Sequence, residues 1–133
     1  MTYRLFFLVT FASLTALAKG EVVINEIHHD PDVKTELAEF IELHNTATEP
    51  VDLSGWEIGD AVVFTFPDGS KIDGDGFVVV THNPAQFKSK FGGSPLGPWL
   101  GKLDNDGERI ELRDATGQLV DRVRYRLGFP WPI

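Results

Sequence analysis

The chain has 133 residues, a length that predicts one domain, and it contains no cysteine, which excludes a disulfide scaffold and a lipoprotein acylated on cysteine. Twelve Lys and Arg side chains stand against 20 Asp and Glu side chains, which gives a net charge of −8. Because nucleic-acid binding and attachment to anionic membranes depend on cationic side chains, this charge argues against both kinds of partner.

The first 18 residues are typical of a secretory signal. Met1–Arg4 carries one positive side chain, Leu5–Leu17 is almost wholly apolar, and the small-x-small pattern "ALA" precedes Lys19. The apolar run is shorter than the about 20 residues that a membrane-spanning helix needs. We therefore predict a signal peptide over residues 1–18 and a mature domain over 19–133, which is not inserted in a membrane and is secreted, periplasmic or held at the cell surface. A buried first helix or strand is the alternative.

Short strands separated by turns follow. β-branched residues predict a first strand in "EVVINEIHH", residues 21–29. In the second predicted strand, "AEFIELHN", successive side chains point to opposite faces, so that Ile41 and Leu43 share one face. "VVFTFPDGSKI" predicts a strand followed by a Pro-Asp-Gly turn. "GFVVVTH", residues 76–82, is the most apolar strand, and we expect it at the centre of its sheet and buried on both faces.

One helix is predicted after these strands. Asn83 is a good N-cap, and Pro84 suits the first helical turn. Phe87 and Phe91 lie at positions i and i+4, and therefore on one side of the helix. Gly92 is expected to end the helix, and the Pro- and Gly-rich stretch after it is predicted to be a loop.

The last predicted element is a hairpin closed by the turn "DATG". Ile110 and Leu112 point to one side of its first strand, and Glu111 is expected to meet an arginine across the pair. In the second strand, alternation predicts that Leu119 shares a face with Val123. Strands at short, regular spacing with turns between them indicate an antiparallel sandwich or barrel.

Six segments in this order resemble the lamin tail domain family, and in particular its bacterial, exported members: "INEI", "EFIELHN", "VDLSGW", "FTFPDG", "GFVVV" and "DNDGERIELRDATGQLVD". The resemblance covers about residues 22–133. It implies an all-β fold, an immunoglobulin-like antiparallel β-sandwich with one short helix, and no catalytic, cofactor-binding or metal-binding residues. Relatives usually continue past a "PWP"-like segment into one more strand, so the domain over 19–133 is expected to lack its last strand.

The resemblance also bears on function. In animal lamins the domain is an interaction domain, and in bacteria the chain is similar to modules attached to exported nucleases, phosphoesterases and kinase-like domains. This implies a non-catalytic adhesion or interaction module that binds an unidentified protein or surface ligand. The alternative is the N-terminal fragment of a larger exported enzyme, in which this domain positions a downstream catalytic unit.

The stretch "NEIHHDPD", residues 25–32, is the most conspicuous candidate site. Adjacent histidines on a strand point to opposite faces, so His28 and His29 are poorly placed to bind one ion. His28 and Asp30 share a face but supply only two ligands, and His44 or His82 would have to complete a zinc or iron site. We interpret the histidines as caps of the strand end. A small metal-dependent hydrolase built on "HHDPD" is the contrasting hypothesis.

The other candidates have plainer interpretations. The acidic runs at residues 73–76 and 104–107 do not fit the ligand spacing of a calcium loop and are predicted to be β-turns. No serine lies in a G-x-S-x-G nucleophile elbow. Glu26 and Glu42 would face each other like a glycosidase pair only if their strands are neighbours, and we favour hydrogen bonding within the fold.

The tryptophans are the remaining candidates. Trp56 follows a Ser-Gly turn and is predicted to fill the core. Trp99 and Trp131 lie in Pro- and Gly-rich loops. We favour packing at the end of the sandwich for both of them over exposure as a binding surface for sugars or proteins.

Overall fold

The structure is a computed structural model, and it describes residues 21–29, 39–103 and 108–125. The predicted signal peptide, Asp30, the turn at 104–107 and Trp131 lie outside the described residues, as does the chain end where a strand is expected to be missing.

The described residues form ten strands and one helix. Their bounds are β1 Val22–His28, β2 Phe40–Asn45, β3 Val51–Asp52, β4 Glu57–Asp60, β5 Val62–Thr65, β6 Lys71–Ile72, β7 Phe77–Thr81, α1 Pro84–Phe91, β8 Leu100–Gly101, β9 Arg109–Arg113 and β10 Leu119–Arg124. In this part of the chain no helix has the length and apolar character needed to cross a membrane.

The strands form three sheets in which every pairing of named strands is antiparallel. One sheet has the order β1-β2-β7, the second β10-β9-β4-β5-β8, and a small third joins β3 to β6. Apolar side chains on the inner faces meet to form one core. The predicted fold class, an immunoglobulin-like β-sandwich with one short helix, is confirmed.

The core consists mainly of the alternate apolar residues of the strands. Ile41 and Leu43 of β2 are fully buried, as are Ile110 and Leu112 of β9, which confirms the alternation predicted for both strands. The side chains that are less than 2% exposed are Val22, Ile41, Leu43, Leu53, Ile58, Val62, Phe66, Ile72, Val80, Ile110, Leu112 and Tyr125. Removing this apolar surface from water is the main stabilising contribution to such a domain.

The expectation that β7 is central and buried on both faces is wrong. β2 occupies the centre of this sheet, and β7 lies at its edge. Val80 is buried, but Phe77 is 54% exposed. The valine run is apolar for a different reason: Val78 packs against the core from one face, while Val79 lies on the other face and lines a groove beside the helix residue Phe87.

A bulge in β10 corrects a second expectation. Asp121 pairs with Leu112 and Val123 with Ile110, so these residues follow the inward alternation of β9. The register shifts between Leu119 and Asp121, and Leu119 pairs with Arg113 instead. The prediction that Leu119 shares a face with Val123 is therefore wrong, because an extra residue in a bulge inverts the alternation beyond it.

Candidate functional site

A buried row of polar side chains closes one end of the β1-β2-β7 sheet. Continuing the register one residue past the last pairs brings His29 beside Glu39, and Glu39 beside His82. The His29 Nε2 atom lies 3.4 Å from the Glu39 Oε2 atom, and both side chains are only 4% exposed. The Thr81 side chain supports this row, because its hydroxyl donates to the Glu39 carbonyl oxygen at 2.6 Å.

This row is an internal contact of the fold. A carboxylate as buried as that of Glu39 requires a cationic or hydrogen-bonding partner, and His29 provides one. His82 packs its ring edge-on against Trp99, with the ring centroids 6.3 Å apart. Among the described residues, no group of three or more His, Asp or Glu side chains is arranged to hold a metal ion.

His28 lies on the opposite face of the sheet from this row, as strand alternation requires. Its ring stacks on Phe40, with the ring centroids 5.0 Å apart. Phe40 in turn contacts Phe87 and Phe91 of α1 edge-on, at centroid distances of 5.3 and 6.0 Å. His28 is therefore part of an aromatic cluster under the helix and does not share an environment with His29.

A second aromatic contact lies at the other end of β2. His44 stacks on Phe77 with the ring centroids 4.3 Å apart and the planes inclined by 8°. Its Nε2 atom is 3.0 Å from the Oδ1 atom of the exposed Asp75. His28 of β1 and His44 of β2 thus lie at opposite ends of one face of the β1-β2-β7 sheet, and the fold does not bring the four histidines together.

A groove separates these two aromatic contacts. It has a volume of about 320 Å³. Phe77 and Val79 of β7 line one side, Phe87 and Leu96 contribute apolar surface, and Lys71 also lines the groove. Phe77 and Phe91 are 54% and 50% exposed, which is unusual for side chains this large and apolar. We name the outer face formed by His44, Phe77, Phe87, Phe91 and the groove the aromatic face.

Glu26 and Glu42 are cross-strand neighbours, since β1 and β2 pair. Glu42 accepts a hydrogen bond from the Asn25 side-chain amide at 2.8 Å, which matches the favoured hydrogen bonding within the fold. Neither carboxylate lines the groove. The groove is therefore not a substrate cavity of the kind that a glycosidase forms around its two acids.

The opposite surface of the sandwich carries an ion-pair network centred on Glu111. The Glu111 carboxylate contacts Arg122 at 2.7 Å and Arg113 at 2.9 Å, and it lies 3.7 Å from Arg109. The predicted cross-strand arginine contact of Glu111 is thus present. Hydrogen bonds from Arg122 and then Arg113 lower the pKa of Glu111. Asp60 raises the pKa of Arg109 through a hydrogen bond and its charge.

The lowered pKa of Glu111 predicts a pH-dependent contribution to stability. A carboxylate whose pKa is lower in the folded state stabilises the fold fully above its unfolded pKa of about 4.3, and this contribution is lost as the pH falls through the folded pKa. The Glu111→Gln variant should therefore unfold at a lower temperature than the wild-type protein at pH 7. The difference between the two melting temperatures should shrink as the pH falls below about 4.3, as measured by circular dichroism.

The matched control is Glu49→Gln, because Glu49 is an exposed side chain. Its melting temperature should follow that of the wild-type protein across the same pH range. A Glu111→Gln deficit that is as large at pH 3 as at pH 7 would contradict the electrostatic explanation and indicate a packing effect.

Sequence reasoning placed Trp99 correctly and missed the aromatic face. Trp99 is 2% exposed, so the favoured packing interpretation is confirmed, whereas Trp56 is only half-buried at the margin of the core. The exposure of Phe77 was missed because its strand was expected to be central. The usable signal was the turn just before Phe77, since a side chain next to a turn often lies at the rim of a sheet.

Comparison with known proteins agrees with the architecture. The chain matches the Lamin Tail Domain family over residues 15–126, which include every strand and the helix described above. No curated protein matches the chain. Since the match covers most of the 133 residues, the chain belongs to the lamin tail domain family.

Proposed function

We propose that the mature chain is an exported, non-catalytic interaction module that binds a protein or another cell-surface partner through its aromatic face. Lamin tail domains are non-catalytic immunoglobulin-like domains, which agrees with an interaction module. The single observation that carries the proposal is the exposure of Phe77 and Phe91, which are each about half exposed; Phe77 lines the groove, and Phe91 contacts the lining residue Phe87.

The chemistry of this face supports docking. Burying large apolar side chains is favourable, and exposing them to water costs that free energy. A cluster of exposed ones therefore indicates a surface that a partner covers. Aromatic residues are enriched at the centres of protein interfaces, where they supply large contact area at low entropic cost. The aromatic face combines this surface with the groove, so a partner can contact both a raised rim and a depression.

The second hypothesis, that the chain is part of a larger exported enzyme, uses the same face differently. The aromatic face would then hold a downstream catalytic unit of the same polypeptide. Sequencing the locus through and beyond residue 133 distinguishes the two, because an open reading frame that continues into a catalytic domain supports the fragment hypothesis.

Export is part of the proposal, and it rests on the signal-like residues 1–18. A mature N-terminus at Lys19, measured by mass spectrometry on protein recovered outside the cytoplasm, is the expected result. An intact Met1 terminus on that protein would contradict it.

A binding assay with the Phe91→Ser variant tests the aromatic face. Fluorescently labelled residues 19–133 should bind washed cells of the source organism saturably, and unlabelled protein should compete. The Phe91→Ser variant should bind at least tenfold more weakly, which corresponds to the loss of about 1.4 kcal/mol of apolar contact.

Leu100→Ser is the matched control, because Leu100 is an apolar side chain that is 72% exposed on the other large sheet, where β8 pairs with β5. Its affinity should equal that of the unmodified protein. Equal losses in both variants would show that binding depends on general hydrophobicity and would count against the aromatic face.

A further inference from the structure

Among the described residues, the edge of β7 that borders the groove has backbone groups without a hydrogen-bond partner. Alternate residues of this strand turn their N–H and C=O groups toward opposite edges. The Gly76 carbonyl oxygen accepts from Asn45 of β2, so Phe77, Val79 and Thr81 face the other edge. Within the described residues, no hydrogen bond is formed by the Val79 N–H or by either backbone group of Phe77.

The chain itself already uses part of this edge as a strand acceptor. The Leu96 N–H donates to the Val79 carbonyl oxygen at 2.8 Å, and the Leu96 carbonyl oxygen accepts from the Thr81 N–H at 2.9 Å. These two bonds form a parallel bridge of one residue between Leu96 and Val80. Toward Phe77 the bridge does not continue, and the groove begins there.

The groove is therefore shaped for an extended backbone. Its side along β7 offers the Val79 N–H and the two Phe77 backbone groups at the spacing of a strand ladder. Phe87 and Leu96 form an apolar wall into which alternate side chains of an added strand can pack. This combination of an open sheet edge and an adjacent apolar depression is the arrangement by which strand addition binds peptides.

The charge of the groove indicates which side chains a bound segment should carry. Lys71 is the charged residue that lines the groove, on a chain whose net charge is −8. Its ammonium lies 3.7 Å from Asp73, but both side chains are more than half exposed, so this ion pair is weak and exchangeable. Lys71 would therefore attract an acidic group at the Phe77 end of an added strand, whereas the net negative charge of the protein repels acidic groups elsewhere.

We propose that the groove binds an extended segment of a partner protein as an added strand on β7, with apolar side chains at alternate positions and an acidic residue beside Lys71. The inference rests on the proposed function, since it names how the aromatic face would recognise its partner. The backbone of the segment supplies the pairing, Phe77 and Phe87 bracket its apolar side chains, and Lys71 sets its register.

The test uses a peptide that carries fluorescein on its N-terminus, fluorescein-Asp-Val-Thr-Val-Thr-Val-amide, and two N-methylated versions of it. In one version the methyl groups block the N–H groups of odd residues, and in the other those of even residues. Fluorescence anisotropy with residues 19–133 should show saturable binding of the unmodified peptide. One methylated version should bind at least tenfold more weakly and the other within about threefold, because only one set of N–H groups faces β7.

Two protein variants locate the site. Val79→Pro removes the open N–H group and leaves the pairing of Val78 and Val80 with β2 in place, so it should weaken peptide binding at least tenfold. Lys71→Gln should weaken binding of the Asp peptide several-fold and leave binding of the matching Asn peptide unchanged. If Val79→Pro fails to fold, the methylated peptides decide the question alone.

Three results would overturn the inference. The first is an equal effect of the two methylation patterns, which would show that the peptide binds without pairing to a strand. The second is the absence of saturable binding of the unmodified peptide. The third is concentration-dependent dimerisation of the wild-type protein that Val79→Pro abolishes, which would assign the edge to a second copy of the chain. If cell binding still depends on Phe91 in any of these cases, the proposed function stands without the groove.

Discussion

Replacing Trp99 by alanine should lower the free energy of unfolding by about 3–5 kcal/mol, the usual cost of deleting a buried large aromatic side chain. The indole is 2% exposed and belongs to the main core cluster. Its Nε1–H donates to the Gly101 carbonyl oxygen at 3.1 Å, so the substitution also leaves an acceptor without its donor. Since domains of this size are stable by about 5–15 kcal/mol, the substitution should remove a large share of the stability of the domain.

Two further substitutions separate packing from hydrogen bonding. Trp99→Phe keeps most of the buried ring and loses the Nε1–H group, so its cost should lie well below that of Trp99→Ala. Leu100→Ala changes the next residue, which is 72% exposed, and should alter stability by less than about 0.5 kcal/mol. Urea denaturation followed by circular dichroism measures all three. A Trp99→Ala cost below about 1 kcal/mol would show that the loop does not depend on the indole.

The parts of the fold that sequence patterns predicted are those decided by local physics. The side chain of Asn83 accepts a hydrogen bond from the Gln86 N–H at 3.0 Å, and Pro84 begins the helix as expected for its position. Gly92 ends the helix with a φ of 79°, a backbone conformation that residues other than glycine rarely adopt. Each of these residues affects only the backbone within a few residues of it, so its role in the helix can be predicted from the sequence alone.

The parts that could not be predicted depend on which strands become neighbours. A run such as that of β7 is apolar either because the strand lies at the centre of a sheet with both faces buried, or because it lies at an edge next to a helix and a loop. The residues alone do not distinguish these two cases. Likewise, the bulge between Leu119 and Asp121 becomes visible only in the register against β9. Asp121 shows what the bulge achieves, since its carboxylate accepts from the Ile24 N–H at 2.8 Å and so links β10 to β1.

The candidate histidines show the same division. Strand alternation correctly predicted that His28 and His29 lie on opposite faces. The contact between His29 and Glu39, which lies ten residues further along the chain, could not be predicted because it depends on how β1 and β2 pair. The open edge beside Val79 was also beyond prediction, because it depends on where the segment around Leu96 joins and leaves β7. The proposed binding groove is therefore a product of topology, and only the apolar character of its walls could be read from the sequence.

Asn45, at the end of β2, is a polar residue whose importance sequence patterns did not indicate. Its side chain is fully buried. The amide nitrogen donates to the carbonyl oxygens of Glu49 and Asp73 at 2.8 and 3.1 Å, and the amide oxygen accepts from the Ala47 N–H at 3.0 Å. One side chain thus connects the loop after β2 with the turn after β6, and it satisfies backbone groups that have little access to water.

The Asn45→Ala variant should therefore lose about 3 kcal/mol of stability, because each buried backbone group left without a partner costs about 1–3 kcal/mol and water restores only part of that. Asn25→Ala is the matched control, since the Asn25 amide makes an exposed hydrogen bond to Glu42, and its cost should stay within about 0.5 kcal/mol.

The Asn45→Asp variant sharpens the test, because it keeps the shape and the acceptor for Ala47 but turns a carboxylate oxygen toward the carbonyl oxygens of Glu49 and Asp73. At pH 7 it should be at least as destabilised as Asn45→Ala, and the Ala47 amide should still be protected from hydrogen exchange in whatever fraction remains folded. Urea denaturation gives the free energies. An Asn45→Asp protein as stable as the wild type would mean that the two donated bonds contribute nothing, and that the loop is held by the acceptor side alone.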